Sequence, residues 1–229
     1  GTPWENQFDY IWDLKWSRDG SHICAAVQTD MEYGMAVDDT VWETMYENIT
    51  GTIISDQGKT AAVVQTQPLS QGDIAGFSAG IFSTAVNGVA SDLGFMNIWD
   101  LAFDPSGQKL AYVIRKNRTD YGIVAGTTEW NQVFQSAWLP VFDHQGQSVL
   151  APVRSGGKWY LFKDGQKFWN SGYEQLWKVI QHPMTNKTAA VVSGQYGKWT
   201  VSEDQKNWDL EANQMISDLA YSDDGSTLM

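Results

Sequence analysis

Between Asp30 and Glu47 the chain carries six carboxylates, Asp30, Glu32, Asp38, Asp39, Glu43 and Glu47, with no lysine or arginine among them. Charge segregated in this way is either a solvated surface or a docking face for a basic partner. Its counterpart is the basic run Arg115-Lys116-Asn117-Arg118. The remaining chemistry-bearing residues are scattered. His22, His144 and His182 share no HExxH or comparable ligand spacing, although His144 and His182 fall in equivalent turns of neighbouring repeats and could approach each other. Gly58-Lys59-Thr60 ends like a phosphate-binding loop, but Ile53 stands where the first glycine of GxxxxGK[ST] belongs. That segment also reads as strand–turn–strand, whereas the loop must run into a helix. No G-x-S-x-G elbow or Ser-His-Asp order is present. We therefore assign no catalytic, cofactor-binding or metal-binding residue and expect no cofactor.

Composition narrows the partners. In 229 residues, 15 are basic and 27 acidic, for a net charge of −12. That balance argues against nucleic acid, whose phosphates are met by lysine and arginine, and suits steering of a basic protein. The single Cys24 excludes an internal disulfide and multi-cysteine metal or haem patterns. No apolar run approaches the roughly 18 residues that cross a bilayer, so direct membrane insertion is not expected. The opening Gly1-Thr2-Pro3-Trp4-Glu5 has neither an initiator methionine nor a signal pattern and reads as trimmed. A cytoplasmic location is expected, with membrane association through a complex, and the periplasm stays open. The sequons at Asn48, Asn117 and Asn186 say little without a secretory context.

What must position these residues is a repeat. Trp99 to Gly107 reads WDLAFDPSG, an alternating strand that stops on a turn of Asp, Pro, Ser and Gly. Similar nonapeptides begin near residues 12, 50, 138, 177 and 217, mostly about 40 residues apart. After each anchor up to the fifth comes a short apolar run such as Ile23–Val27, Ala61–Val64 or Ala189–Val192, small and β-branched, as in a strand buried on both faces. A third and a fourth strand follow, marked by pairs nine residues apart: Tyr33 and Trp42, Tyr121 and Trp130, Tyr160 and Trp169, Trp199 and Trp208, with Phe77 and Val86 in the second repeat. Four antiparallel strands per repeat make a β-propeller blade. The expected fold is all-β, one domain over 1–229, with six blades. Five are complete; the sixth is composite, the strand from Pro3 to Asp9 closing on residues 217–229. The chain also reads as a piece of a longer repeat protein. Repeat two is the deviant, with insertions expected near Gln67–Asp73 and near Asn87–Asn97.

Twelve tryptophans are about four times the usual share. Trp12, Trp99, Trp138 and Trp177 fall on first strands, and Trp4, Trp42, Trp130, Trp169 and Trp208 on fourth strands. Recurrence at equivalent positions points to packing between blades, each indole burying on the order of 200 Å².

The anchors WDLAFDPSG and WDLKWSRDG, running into KLAYVI and HICAAV, resemble the WD40-like repeats of TolB-type propellers. Together with the tryptophan content and acidity, repeats of the form W-D-L-x-[FW]-[SD] also resemble the TmcD family. These are the tryptophan-rich subunits of the transmembrane electron-transfer complex of sulfate-reducing bacteria. The resemblance implies a non-enzymatic interaction scaffold without a redox centre, held among redox subunits, and the lone cysteine agrees. The alternatives are a ligand- or carbohydrate-binding propeller and, third, a glycoside hydrolase-like propeller. For the last, Ser202–Trp208 (SEDQKNW) resembles the S-x-D-x-G-x-x-W turn of sialidases, one residue short and without its glycine. Paired catalytic carboxylates or a tyrosine nucleophile are not identifiable. The expected docking site is the acidic stretch, Asp30, Glu32, Asp38, Asp39, Glu43 and Glu47, beside the insertions of the next repeat.

Overall fold

A computed structural model describes residues 3–229. It holds five antiparallel sheets, and in each the chain runs outward strand by strand. Blade 1 is β1 (Tyr10–Trp16), β2 (Ile23–Thr29), β3 (Glu32–Val37) and β4 (Thr40–Val41). Blade 2 is β5 (Asn48–Ile54), β6 (Thr60–Gln65), β7 (Phe82–Val86) and β8 (Val89–Ala90), with helix α1 (Ile74–Ala79) between β6 and β7. Blade 3 is β9 (Asn97–Phe103), β10 (Leu110–Arg115), β11 (Tyr121–Ala125) and β12 (Thr128–Glu129). In blade 4 the inner strand is broken into β13 (Ser136–Ala137) and β14 (Val141–Phe142). Both pair with β15 (Val149–Ser155), followed by β16 (Lys158–Lys163) and β17 (Gln166–Lys167). Blade 5 is β18 (Gln175–Gln181), β19 (Thr188–Gln195), β20 (Lys198–Glu203) and β21 (Lys206–Asn207). Ala220 and Met229 then close a short hairpin through N–H···O bonds of 2.7 and 2.9 Å.

The second strands have the small and β-branched residues that two-sided burial demands. Cys24, Ala25, Ala26 and Val27 are fully buried, as are Ala189 to Val192. Alternate residues of each strand face the preceding and following blade, so Cys24 and Ala26 pack toward blade 2 while Ala25 and Val27 pack under Trp4 and Phe8.

The Trp-Asp pair of the anchor is a bulge. In the inner strands one residue takes positive φ: Asp13 at 53°, Gly51 at 61°, Asp100 at 54°, Leu139 at 41° and Lys178 at 46°. Aspartate enters this region more readily than most side chains. The bulge aims that residue at the next blade. Asp100 accepts a 2.8 Å bond from the Leu139 N–H, Asp13 accepts from the Thr52 hydroxyl, and Lys178 meets Asp218 at 2.9 Å. Burial pushes the Asp100 carboxyl above its ordinary range, and the Leu139 bond offsets only part of that.

The first-to-second-strand turns stack in the same direction. Asp104 accepts from the N–H groups of Gln108 and Lys109 at 2.7 and 2.6 Å, and from the Ser106 hydroxyl at 2.5 Å. A Cβ on Gly146 of the next turn would lie 2.8 Å from the Asp104 carboxylate, so glycine is needed there both for its φ of 67° and for this approach.

The outer tryptophans follow the fourth strand. The N–H groups of Trp42, Trp130 and Trp169 bond the carbonyls of Met35, Ile123 and Leu161 at 2.9, 2.9 and 3.1 Å. Each indole then lies against the following blade: Trp42 on Ile49, Ala62 and Val64, Trp130 on Val149 and Ala151, Trp169 on Ala190 and Val192. Trp42 Nε1 also donates to the Thr60 hydroxyl at 2.9 Å. The inner tryptophans pair within their own blade, and Trp138 also reaches blade 5, meeting Trp177 edge-on at 5.7 Å and donating from Nε1 to the Leu176 carbonyl at 3.1 Å. Trp12 meets Tyr33 and Trp99 meets Tyr121 edge-on at 6.1 and 5.7 Å, while Trp138 stacks on Trp159 at 3.9 Å.

Three expectations need correction. Residues 3–9 form no strand and do not pair with the C-terminal hairpin; they dock on blade 1, where the N–H groups of Glu5 and Asn6 bond Asp39 at 2.7 and 3.1 Å. An outer strand needs a third strand beside it, and none is formed between this segment and the hairpin among the described residues. Among the described residues the structure thus holds five blades and a hairpin, and the composite sixth blade is not formed there. The inner strand β1 accordingly exposes Tyr10, Ile11, Leu14 and Trp16. In blade 2 the third-to-fourth-strand pair is Phe82 and Ser91, because the Phe82–Phe95 bridge repeats the Tyr33–Tyr46 bridge of blade 1. Phe77 lies on α1, and Asn87-Gly88 is an ordinary tight turn, so the second insertion does not exist and all the extra length lies in residues 66–81.

Two stability tests follow from this packing. Trp169→Ala, at a fully buried indole, is expected to cost about 3–5 kcal/mol in urea unfolding. Trp208→Ala, 36% exposed, should cost less than about 1.5 kcal/mol. Because the Asp100 carboxyl is raised in the folded state, its ionisation disfavours folding, and stability is lost as pH climbs from 3.8 through the folded value. Asp100→Asn keeps the acceptor for Leu139 and the left-handed turn. It should therefore be more stable than the parent at pH 7, a margin that vanishes below pH 3.8.

Candidate functional site

Each blade has two ends. One carries the turns between second and third strands and the linkers to the next blade; the other carries the remaining turns. Connection alone therefore decides which of the six carboxylates can act together. Asp30 and Met31 form the β2–β3 turn, both at positive φ, and the Asp30 N–H bonds Asp9 at 3.0 Å. Glu32 opens β3. The mutual Tyr33–Tyr46 backbone bonds of 2.8 Å bring Glu47 back to this end, with Glu43 partway along the linker. Asp38 and Asp39 form the β3–β4 turn, about 20 Å away along an extended strand.

Those last two carboxylates also have structural work. Asp38 accepts from the Ile23 N–H at 3.0 Å and meets His22 Nδ1 at 2.5 Å. Burial raises its carboxyl, but the His22 and Ile23 bonds outweigh that and hold it below the ordinary range. Asp39 is likewise lowered, first by the Glu5 N–H and then, against a small burial effect, by Asn6. The structure thus brings together Asp30, Glu32 and Glu47, and separates Asp38 and Asp39 from them.

The β6–β7 insertion emerges at the same end as Asp30, on the neighbouring blade. Asp73 caps α1 by accepting from the Gly76 N–H at 2.8 Å, and Gly80 at φ 89° ends it. No residue of α1 is buried; Phe77 holds the loop down by meeting Phe82 edge-on at 6.2 Å. On blade 3 the basic run lies at this end too. The Arg115 guanidinium bonds the Asn117 and Arg118 carbonyls at 3.1 and 2.9 Å, and Lys116 pairs with Glu129 at 2.7 Å. Sequence reasoning missed the apolar part of this end. Met31, Ile74, Val133 and Tyr196 stand 82%, 67%, 55% and 87% exposed there.

At the opposite end, the turns around the axis enclose a mouth of about 880 Å³ shared by Arg18, His144, Lys178, His182 and Asp223. His144 and His182 do line one space. His182 is committed, however: Nε2 donates to the Gly225 carbonyl at 3.1 Å and Nδ1 accepts from the Met184 N–H at 3.1 Å. Among the described residues, no three His, Cys, Asp or Glu side chains group as metal ligands. Burial pushes the Cys24 thiol up to about 11, the behaviour of a packed rather than a reactive cysteine.

No family model matches the chain, and no curated protein matches it in sequence. Solved structures do. A eukaryotic initiation factor aligns with TM-score 0.54 at 14% identity, over 97% of this chain and 58% of that one. The Dos1 propeller aligns with TM-score 0.50 at 10% identity, over 95% and 74%. A puromycin-hydrolyzing peptidase of Mycobacterium tuberculosis aligns with TM-score 0.50 at 12% identity, over 86% and 37%. The chain thus spans little more than half of the initiation factor's length and well under half of the peptidase's. Identities this low carry architecture and nothing about activity. In fold, the chain is a β-propeller.

Proposed function

We propose that this propeller is a non-enzymatic scaffold that binds a protein partner through the end carrying the β2–β3 turn and the blade 2 insertion. The observation that carries the reading is the set of exposed apolar residues, Met31, Ile74, Val133 and Tyr196, on loops of one end of four blades. Exposed apolar side chains mark an interaction site where they gather on one face, and these four stand on loops of a single end of the sheets. Asp30, Glu32 and Glu47 share that end and favour a basic partner. The finer reading is an accessory subunit of a membrane-associated electron-transfer complex that contributes no cofactor of its own. It rests on the sequence resemblance and on the net charge of −12.

A basic c-type cytochrome is a suitable probe. Binding measured by calorimetry across ionic strength should weaken with salt, because the steering is electrostatic. The triple variant Asp30→Lys, Glu32→Lys, Glu47→Lys is expected to lose about tenfold in affinity at low salt and most of the salt dependence. Asp38 and Asp39 are left intact because they hold His22 and the N-terminal segment. Reversing Arg115, Lys116 and Arg118 to glutamate should leave binding unchanged or tighten it. If the basic-run variant loses the cytochrome and the acidic variant keeps it, the assignment of this face is wrong.

A further inference from the structure

The junction between blades 2 and 3 differs from all the others. Directly after the fourth strand stands Trp42, Trp130 or Trp208 in blades 1, 3 and 5, and in blade 4 Trp169 follows one residue later, behind Phe168; blade 2 has Ser91. The equivalence is set by backbone: the Ser91 N–H bonds the Thr84 carbonyl at 2.8 Å, as the Trp42 and Trp130 N–H groups bond Met35 and Ile123 at 2.9 Å. A second substitution faces it. Where Trp42, Trp130 and Trp169 rest on Ala62, Ala151 and Ala190, blade 3 presents Tyr112. The phenol is buried and takes part of the room, yet a cleft opens here that runs across blade 3 to Trp130, Phe142 and Val149 of the next junction, about 730 Å³ in all. Val86, Val89 and Ser91 line it from blade 2; Leu110, Tyr112 and Ala125 line it from blade 3. Thr84, Ser91 and Thr127 bring hydroxyls to it, the kind of group to which Trp42 Nε1 donates at Thr60. On its blade 4 side Gln147 and Asp164, from the turns of that blade, supply polar atoms beyond the space one side chain needs. Val89, on the lip, is 74% exposed.

We propose that this open junction is a binding site for a tryptophan side chain presented by a partner polypeptide, seated as the chain's own indoles are seated at the other junctions. The occupant is read from those junctions: the same backbone frame closes on an indole between blades 1 and 2, 3 and 4, and 4 and 5. An apolar slot with a few hydroxyls matches a flat ring that carries one N–H donor. The polar blade 4 side takes the flanking peptide. The site lies at the opposite end from the face of Asp30 and Ile74 and stands independently of it.

The test is a titration of the full chain, followed by methyl NMR, with the blocked peptide Gly-Ser-Trp-Ser-Gly and with the same peptide carrying leucine in place of tryptophan. Saturable shifts are expected at Val86, Val89, Leu110 and Ala125, with the leucine peptide at least about fivefold weaker. The double variant Ser91→Trp, Tyr112→Ala recreates the pairing of the other junctions. It should melt no lower than the parent and bind the tryptophan peptide at least about tenfold more weakly. Val89→Asp, at an exposed position that leaves the melting point unchanged, should weaken binding severalfold and decides the matter if the double variant does not fold. Shifts that do not saturate overturn the proposal. So do equal affinity for both peptides, unchanged binding by a folded double variant, or unchanged binding by Val89→Asp.

Discussion

The second strand of every blade has no polar face. Ala25 and Ala26, or Ala189 and Ala190, are adjacent along one strand and therefore point to opposite sides, and all are fully buried. A single sheet cannot satisfy that condition in water. Each blade needs a neighbour on both sides, which makes the array obligatory and stability a matter of nearest-neighbour contacts. The small side chains set the spacing, and the gap that remains toward the rim is what the outer indoles occupy. Trp4 does for blade 1 what Trp42 does for blade 2, so even the N-terminal segment serves this constraint.

Polar links then fix the angle at which blades meet. Near the axis, Asp13, Asp100 and Lys178 reach from a bulge in one inner strand to the next repeat. Farther along the same end, the Asp104 turn and the Gly146 turn nest, and Lys109 Nζ bonds the Gly146 carbonyl at 3.0 Å. The anchor motif is thus a device for two contacts. Its Trp packs on the third strand of its own blade, and its Asp leaves the strand in a left-handed kink toward the next.

Much of this was legible before any coordinates. The Asp-Pro-Ser-Gly turn, the all-small strands and the nine-residue aromatic spacing lead to four-stranded blades because each has a local physical cause, although in blade 4 the Trp159–Tyr173 bridge makes Trp159, not Tyr160, the third-strand aromatic, ten residues before Trp169. What was not legible depended on contacts far apart in sequence. Asp39 reads as part of an acidic run, and only its bonds to Glu5 and Asn6 reveal a structural cap. Phe77 mimicked a third-strand aromatic because an aromatic in an inserted helix and one in a strand look alike over a few residues. Grouping Trp4 with the fourth-strand tryptophans fits its packing on blade 1 but does not supply a hydrogen-bonded strand around it. Repeat two visibly lacks tryptophan, yet the meaning of that lack needs Tyr112, which stands across a blade boundary.

The Ser91–Tyr112 pair also says something about order. Every other complete junction matches an indole with an alanine; this one matches a hydroxymethyl with a phenol. Moved behind blade 1 or 4, blade 3 would drive its Tyr112 ring into the volume held by Trp42 or Trp169. Moved ahead of blade 4, blade 2 would face Ala151 with Ser91 and leave a hole. Repeats that look interchangeable in their backbones are therefore keyed by the bulk on their two faces, so the succession of blades is encoded sterically, and a shuffled propeller would misassemble at this seam first.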